Sequence, residues 1–336
     1  MDSGTQATPG RPSAPAVPKG GGGLDDLDHR LLHALQLDGR APFSRVARAL
    51  GTSEHTVARR YRRLRGLGLR VVGRPVPARL GLSRWLLRLR TAPDAAVPLA
   101  GALARRPDTS WITLAAGGTE IHCAVTVDGP EERDALLMRQ LPRTPQVLSV
   151  EAHCVTRSFI GDTSTWHATR VTGAGAGADA DLGAGAEAPP LPLTATDRVL
   201  LAELARDGRA TLPELGAATG RAPSSVGRRL DRLRAEGALS FAVDFDPRHL
   251  GYHMSTLLWL RVAPARLRAV GEALATHPEI PFAAATTGPA NLAAGGVFRT
   301  PGELYAYLDR RIGPLPGVQS VETSPTLREV KRLTVG

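Results

Sequence analysis

Apolar residues recur at helical spacing near the start of the chain. Leu27, Leu31, Leu32 and Leu35 share one helix face, and Asp38-Gly39 supplies a stop signal. A second short helix is predicted from about Ser44 to Leu50, followed by a turn at Gly51-Thr52. A third starts near Ser53, whose hydroxyl suits an N-cap, and runs to about Leu67 with Val57, Tyr61 and Leu64 facing inward. The period then changes. Strands are predicted at 84–89, 110–116, 120–127 and 147–155, and helices at 95–106 and 130–141, with Gly117-Gly118 as a hairpin signal. The order βαββαβ is that of a ferredoxin-like sandwich.

The same pattern occurs twice. Under one constant shift, Asp28 falls on Asp197, Leu31 on Leu200 and Leu35 on Leu204. Asp38-Gly39-Arg40-Ala41 falls on Asp207-Gly208-Arg209-Ala210, and Arg59-Arg60 on Arg228-Arg229. With one-residue insertions the register continues through Gly117 on Gly288 and Val150-Glu151 on Val321-Glu322. An internal repeat of this length implies a duplicated architecture. In the second copy helices are predicted at 196–206, 212–219 and 223–237, where Pro223 suits a first helical turn. Its second part repeats the βαββαβ order between 255 and 323.

The expected fold is therefore α+β: two copies of a winged helix-turn-helix, each followed by a βαββαβ ferredoxin-like module. The expected division is a disordered tail at 1–23, a first winged helix-turn-helix at 24–74 and a first ferredoxin-like dimerisation and effector module at 75–160. A Gly/Ala/Pro-rich linker at 161–192, a second winged helix-turn-helix at 193–241 and a second module at 242–336 follow.

Composition narrows the function. The 336 residues carry 42 Lys and Arg against 32 Asp and Glu, a formal charge of +10, which favours a polyanionic partner. Two cysteines in a chain this long point to a reducing compartment. No run approaches a membrane span, and the first 23 residues lack the apolar segment of a signal peptide, so a cytoplasmic location is expected. His122 and Cys123, like His153 and Cys154, are strand neighbours that point to opposite faces, and packing rather than metal ligation is expected of them. No nucleophile pattern, phosphate loop or zinc-ligand spacing is visible. Neither a metal nor a cofactor is expected.

A short helix, a Gly-containing turn and a helix that starts polar and turns basic describe a helix-turn-helix. In the first copy Ser53, His55, Thr56 and Arg59 are expected at base edges. Arg60 and Arg63 are expected at phosphates, which position rather than specify. In the second copy Ser224, Ser225 and Arg228 take the first role, and Arg229 and Arg232 the second.

Leu27-Asp28 through Arg40, Ala47-Arg48-Ala49-Leu50-Gly51 and Val57-x-Arg59-Arg60-x-x-x-Leu64, with their second-copy counterparts, resemble the leucine-responsive and asparagine-synthase regulators, the Lrp/AsnC family. Leu315-Pro316-Gly317-Val318 with Val321-Glu322-Thr323 resembles that family's last strand. The resemblance implies a transcription regulator that binds double-stranded DNA, is not an enzyme and often senses an amino acid. It also implies a dimerising second module, here expected as an intrachain pseudo-dimer that assembles further into homo-oligomers. The loop near the family's effector site corresponds to Gly117, Thr119 and Glu120 in one copy and to Gly288 and Asn291 in the other. Two alternatives fit the same pattern: a sirohaem-decarboxylase-like enzyme, which the two-module build also resembles, and a weakly specific architectural DNA-binding protein.

Overall fold

A computed structural model describes residues 23–160 and 189–333. The expected tail and most of the expected linker lie outside the described residues.

The first copy opens with α1 (Asp26–Leu37), α2 (Phe43–Leu50) and α3 (Glu54–Gly66). Asp25 caps α1 in a reciprocal box with Asp28. Ser53 caps α3 by accepting from the Thr56 amide. Gly51 ends α2 at φ 65°, a left-handed conformation that glycine adopts without a Cβ penalty. Leu31, Leu35, Val57 and Leu64 form the core at the predicted positions. The second copy repeats this as α6 (Ala195–Arg206), α7 (Leu212–Thr219) and α8 (Pro223–Ala235).

One buried ion pair recurs in both copies. Asp28, with no exposed surface, pairs with Arg60 at 3.0 Å and Arg63 at 2.8 Å. Asp197 pairs with Arg229 at 2.6 and 2.7 Å. Each pair ties the start of the first helix of its copy to the middle of the third.

β1 (Arg70–Pro75) and β6 (Leu239–Asp244), the segments expected as wings, pair antiparallel with each other, Arg70 opposite Asp244 and Pro75 opposite Leu239. One ribbon shared between the copies replaces two separate wings. A strand's unpaired N–H and C=O groups need a partner, and the duplicated copy supplies it.

The first module contains β2 (Ser83–Thr91), α4 (Ala96–Ala104), β3 (Thr109–Ala115), β4 (Glu120–Val127), α5 (Gly129–Asp134) and β5 (Val147–Ile160). The second contains β7 (Met254–Val262), α9 (Leu267–Ala275), β8 (Phe282–Thr286), β9 (Leu292–Phe298), α10 (Pro301–Tyr307) and β10 (Val318–Pro325). Both α5 and α10 continue into a wider π-helical turn, Ala135–Gln140 and Leu308–Ile312. Within each module the fourth strand lies beside the first, then come the third and the second.

The modules exchange strand ends. β5 pairs with β2 through Cys154 and then, from Val155 to Ile160, with β8 of the other module. β10 pairs with β7, and after Thr326-Leu327 the chain forms β11 (Arg328–Lys331), which pairs with β3. The result is one nine-stranded sheet whose two ends are consecutive strands of the chain. Helices cover the outside of each half. Leu86, Ala124, Trp259 and Ala293 pack in the layer between the halves. Cys123 faces the helix-side core, whereas His122 meets Trp259 edge-on and His153 lies tilted against it in the inner layer, at 6.1 and 4.9 Å between ring centroids.

The inner layer also holds charge. Arg88 ion-pairs with Glu120 at 2.8 Å and reaches Glu322 of the second module in a two-point contact. His122 Nε2 lies 2.7 Å from Glu120. Burial alone would raise the Glu120 carboxyl, but His122 and Arg88 outweigh it and hold the pKa at about 2.

Two outcomes follow from these buried charges. Arg229→Ala strands the Asp197 carboxylate and should cost about 3 kcal/mol in urea denaturation. The Glu120 pKa lies below its unfolded value of 4.5, so its stabilisation is complete above pH 4.5 and is lost as pH falls towards about 2. Denaturation midpoints measured from pH 7 to 2.5 should therefore fall less steeply below pH 4.5 in Glu120→Gln than in the parent.

Candidate nucleic-acid interface

α3 and α8 present the residues expected at DNA. His55, Arg59, Ser224, Ser225 and Arg228 are exposed, and Thr56 is partly so. Arg59 and Arg228 have no ion-pair partner among the described residues. Ser53 is exposed too, but its hydroxyl serves as the helix cap and lies 2.9 Å from that of Thr56. The start of α8 has no side-chain cap; Ala222 holds that position and Pro223 follows. The two helices therefore offer different polar groups at equivalent places.

The arginines expected at phosphates divide into two groups. Arg60 and Arg229 are turned inward, with side chains 18% and 23% exposed, and are occupied by Asp25, Asp28 and Asp197. They hold the helix-turn-helix together, and the expectation that they contact phosphate is corrected accordingly. A buried carboxylate without its cation is far costlier than a phosphate contact is useful. Arg63 is more exposed but donates to Asp28 and to the Gly23 carbonyl. Arg232 bridges to Glu236 at 2.7 Å along its own helix, an exposed pair that holds it weakly.

The repeated Asp-Gly-Arg-Ala segment has a role that its sequence position did not reveal. Arg40 donates to the carbonyls of Gly208 and Ala210 at 2.6 and 2.9 Å. Arg209 donates to those of Gly39 and Ala41 at 2.6 and 3.0 Å. Each arginine thus satisfies the turn of the other copy. Arg209 also lies over Phe43 and Tyr61, and Arg40 over Phe241. Burial lowers the pKa of both guanidinium groups from the usual value; for Arg40 the neighbouring Arg209 and Arg234 charges add to it. Two outer pairs, Arg65 with Asp207 and Arg234 with Asp38, repeat the exchange at 3.7 and 3.6 Å. A Cβ on Gly208 would fall 2.8 Å from the Val72 carbonyl carbon, so this position admits no side chain. The signal was present as an exact repeat of four residues, but its physical meaning needs both copies in space.

The loops expected to bind an effector are committed elsewhere. Both Glu120 oxygens face Arg88, His122 and Ser324, and the residue is 2% exposed. Asn291 clips the backbone of Val262, accepting from its amide at 2.9 Å and donating to its carbonyl at 2.8 Å. Gly288, at φ 103°, lets His153 approach; a Cβ there would meet its Nδ1 at 2.5 Å. Thr119 donates back to Ala116 at 2.8 Å, and Gly117 supplies a left-handed turn at φ 70°. Of the residues expected near an effector, Glu120 and Asn291 thus have their side chains engaged within the fold: buried polar groups take the partners the fold gives them.

Two sequence profiles match the chain. The AsnC-type helix-turn-helix domain matches residues 24–65 and 193–234, and the Lrp/AsnC ligand binding domain matches 255–335. The HTH-type transcriptional regulator FL11 of Pyrococcus horikoshii is 32% identical over 143 residues, which are 94% of that protein and 42% of this chain. The HTH-type transcriptional regulator LrpA of Mycobacterium tuberculosis is 35% identical over 85 residues, 57% of that protein and 23% of this chain. The crystal structure of the siroheme decarboxylase NirDL with an iron-uroporphyrin III analogue superposes with a TM-score of 0.62 at 14% identity, covering 92% of this chain and 94% of that one. That likeness shows a shared two-module fold. Fold and repeat together define a tandem helix-turn-helix protein with paired ferredoxin-like modules. The chain belongs to the Lrp/AsnC family.

The reciprocal arginines fix the spacing of α3 and α8. In the double variant Arg40→Ala/Arg209→Ala, affinity for DNA carrying two half-sites should fall by about tenfold or more, as the second contact loses its effective concentration. Affinity for a single half-site should stay within about twofold, both read by fluorescence anisotropy.

Proposed function

We propose that the chain is a cytoplasmic, sequence-specific transcription regulator that binds double-stranded DNA through α3 and α8 together. The observation that carries this reading is the pairing of two exposed polar-to-basic helices by reciprocal arginine contacts across one ribbon. Arg59 and Arg228 supply base-edge contacts, with His55, Thr56, Ser224 and Ser225 beside them. Arg62, exposed beside Arg63 on α3, serves phosphates together with Arg63 and Arg232. The operator is an imperfect inverted repeat, because the two helices are related in arrangement but differ in their polar residues. The chain acts as its own pseudo-dimer and assembles further into homo-oligomers. A small-molecule effector belongs to this reading, as does the absence of an enzymatic role. Glu120 and Asn291 are not that effector's ligands.

Binding to DNA upstream of the protein's own gene, with unrelated competitor and at several salt concentrations, tests the reading. Competitor-resistant protection with helical spacing supports it; equal loss to any competitor would leave only an architectural role. Arg59→Ala and Arg228→Ala should each weaken specific binding by about 1–3 kcal/mol with unfolding midpoints unchanged. Arg60→Ala and Arg229→Ala should do the reverse, lowering stability first.

A further inference from the structure

The two halves of the basic surface are not copies of each other. On α3 the Ser53 and Thr56 hydroxyls hold each other at 2.9 Å, and Ser53 also caps the helix. His55 and Arg59, both exposed, remain open. On α8 the cap position is Ala222, which asks nothing of its neighbours, and the hydroxyls of the exposed Ser224 and Ser225 are not drawn into a cap. One helix therefore opens with an imidazole and the other with two short hydroxyls. An imidazole reaches further and has one donor and one acceptor in fixed directions, whereas a hydroxyl rotates to suit its partner. The base edges they favour differ accordingly.

The charges differ as well. The shift that brings Arg59 onto Arg228 brings Arg62 onto Asp231 and Arg48 onto Ala217. Residues 55, 59 and 62 recur at i, i+4 and i+7, which is one helix face, and residues 224, 228 and 231 do the same. Arg62 and Asp231 are both exposed, and neither has an ion-pair partner among the described residues. Arg62 attracts a phosphate backbone from this face; Asp231 repels it from the equivalent place. A reversal of charge at one position of the reading face is a larger difference than the loss of a contact.

A dimer of identical subunits cannot carry such a difference, because its symmetry repeats every surface. Here Arg40 and Arg209 lock α3 and α8 into one frame through each other's turns. The two helices must therefore meet the duplex together. Reversing the chain on the DNA would put Asp231 and the two serines where Arg62 and His55 had been.

We infer that the chain sits on its operator in a single orientation, with α3 on a half-site held by more phosphate contacts and α8 on a half-site of different base sequence. This rests on the DNA reading proposed above and adds a polarity to it. The partner is double-stranded DNA with two unlike half-sites, and the same module always faces the same flank of the site.

The test starts from the segment that the full chain protects in DNA upstream of its own gene. Two further duplexes repeat either the left or the right half of that segment as a perfect inverted repeat. Both should bind at least tenfold more weakly than the natural segment, since each offers one helix the wrong half-site. Arg59→Ala should relax base preference in one half only, and Arg228→Ala in the other half only. Arg62→Ala should lower the salt slope of binding by about one, whereas Asp231→Ala should tighten binding by about threefold at low salt. A symmetrised duplex that binds as tightly as the natural one would overturn the polarity. So would relaxation spread over both halves in either variant, or weaker binding by Asp231→Ala. In those cases the regulator reading stands, because protection of the natural segment is unaffected. A chain that protects no segment against unrelated competitor would instead overturn that reading and the polarity with it.

Discussion

Each helix-turn-helix leaves backbone carbonyls in the turn after its first helix, and the other copy's arginine satisfies them. Arg40 serves Gly208 and Ala210, and Arg209 serves Gly39 and Ala41. Unmet buried carbonyls are costly, so the exchange makes the two copies mutually dependent. The β1–β6 ribbon, the outer pairs Arg65–Asp207 and Arg234–Asp38, and the fixed separation of α3 and α8 all follow from that dependence.

Much of this was legible in the sequence. The helices and most strands appear within a residue or two of their predicted places, because their apolar residues keep helical or alternating spacing. The intrachain pseudo-dimer was legible only through the family resemblance, whose dimerising module the repeat supplies twice in one chain. What escaped was contact between copies. β11 is Arg-Glu-Val-Lys, with a single apolar residue and hence no period to detect. The end of β5 pairs with β8, and nothing local marks where one partner gives way to the other. The basic stretch of α3 showed the same limit. Arg59 and Arg60 are adjacent and identical in type, yet one faces outward and the other is bound to Asp28. Only the register against α1 separates them.

Duplication has also allowed one position to be solved twice. Arg88 and Trp259 are each the sixth residue of the first strand of their module. The ladder neighbours of Arg88 are His122 and Glu151; those of Trp259 are Ala293 and Glu322. On one side a buried cation gathers Glu120, Glu322 and His122. On the other an indole packs at a tilt against His153. A buried ion pair demands partners in fixed geometry, whereas an aromatic ring fills volume with one polar edge left over. The inner layer therefore has a charged half and an apolar half, a difference that two identical subunits could not show.

The exchanged strand ends carry a consequence for a scarce protein. In an assembly of separate subunits, pairing obeys mass action, and dilution to a few copies per cell separates the halves. Here β5 and β8, and likewise β11 and β3, belong to one chain. Their association is set by tethering and not by abundance, so the paired form persists at any copy number.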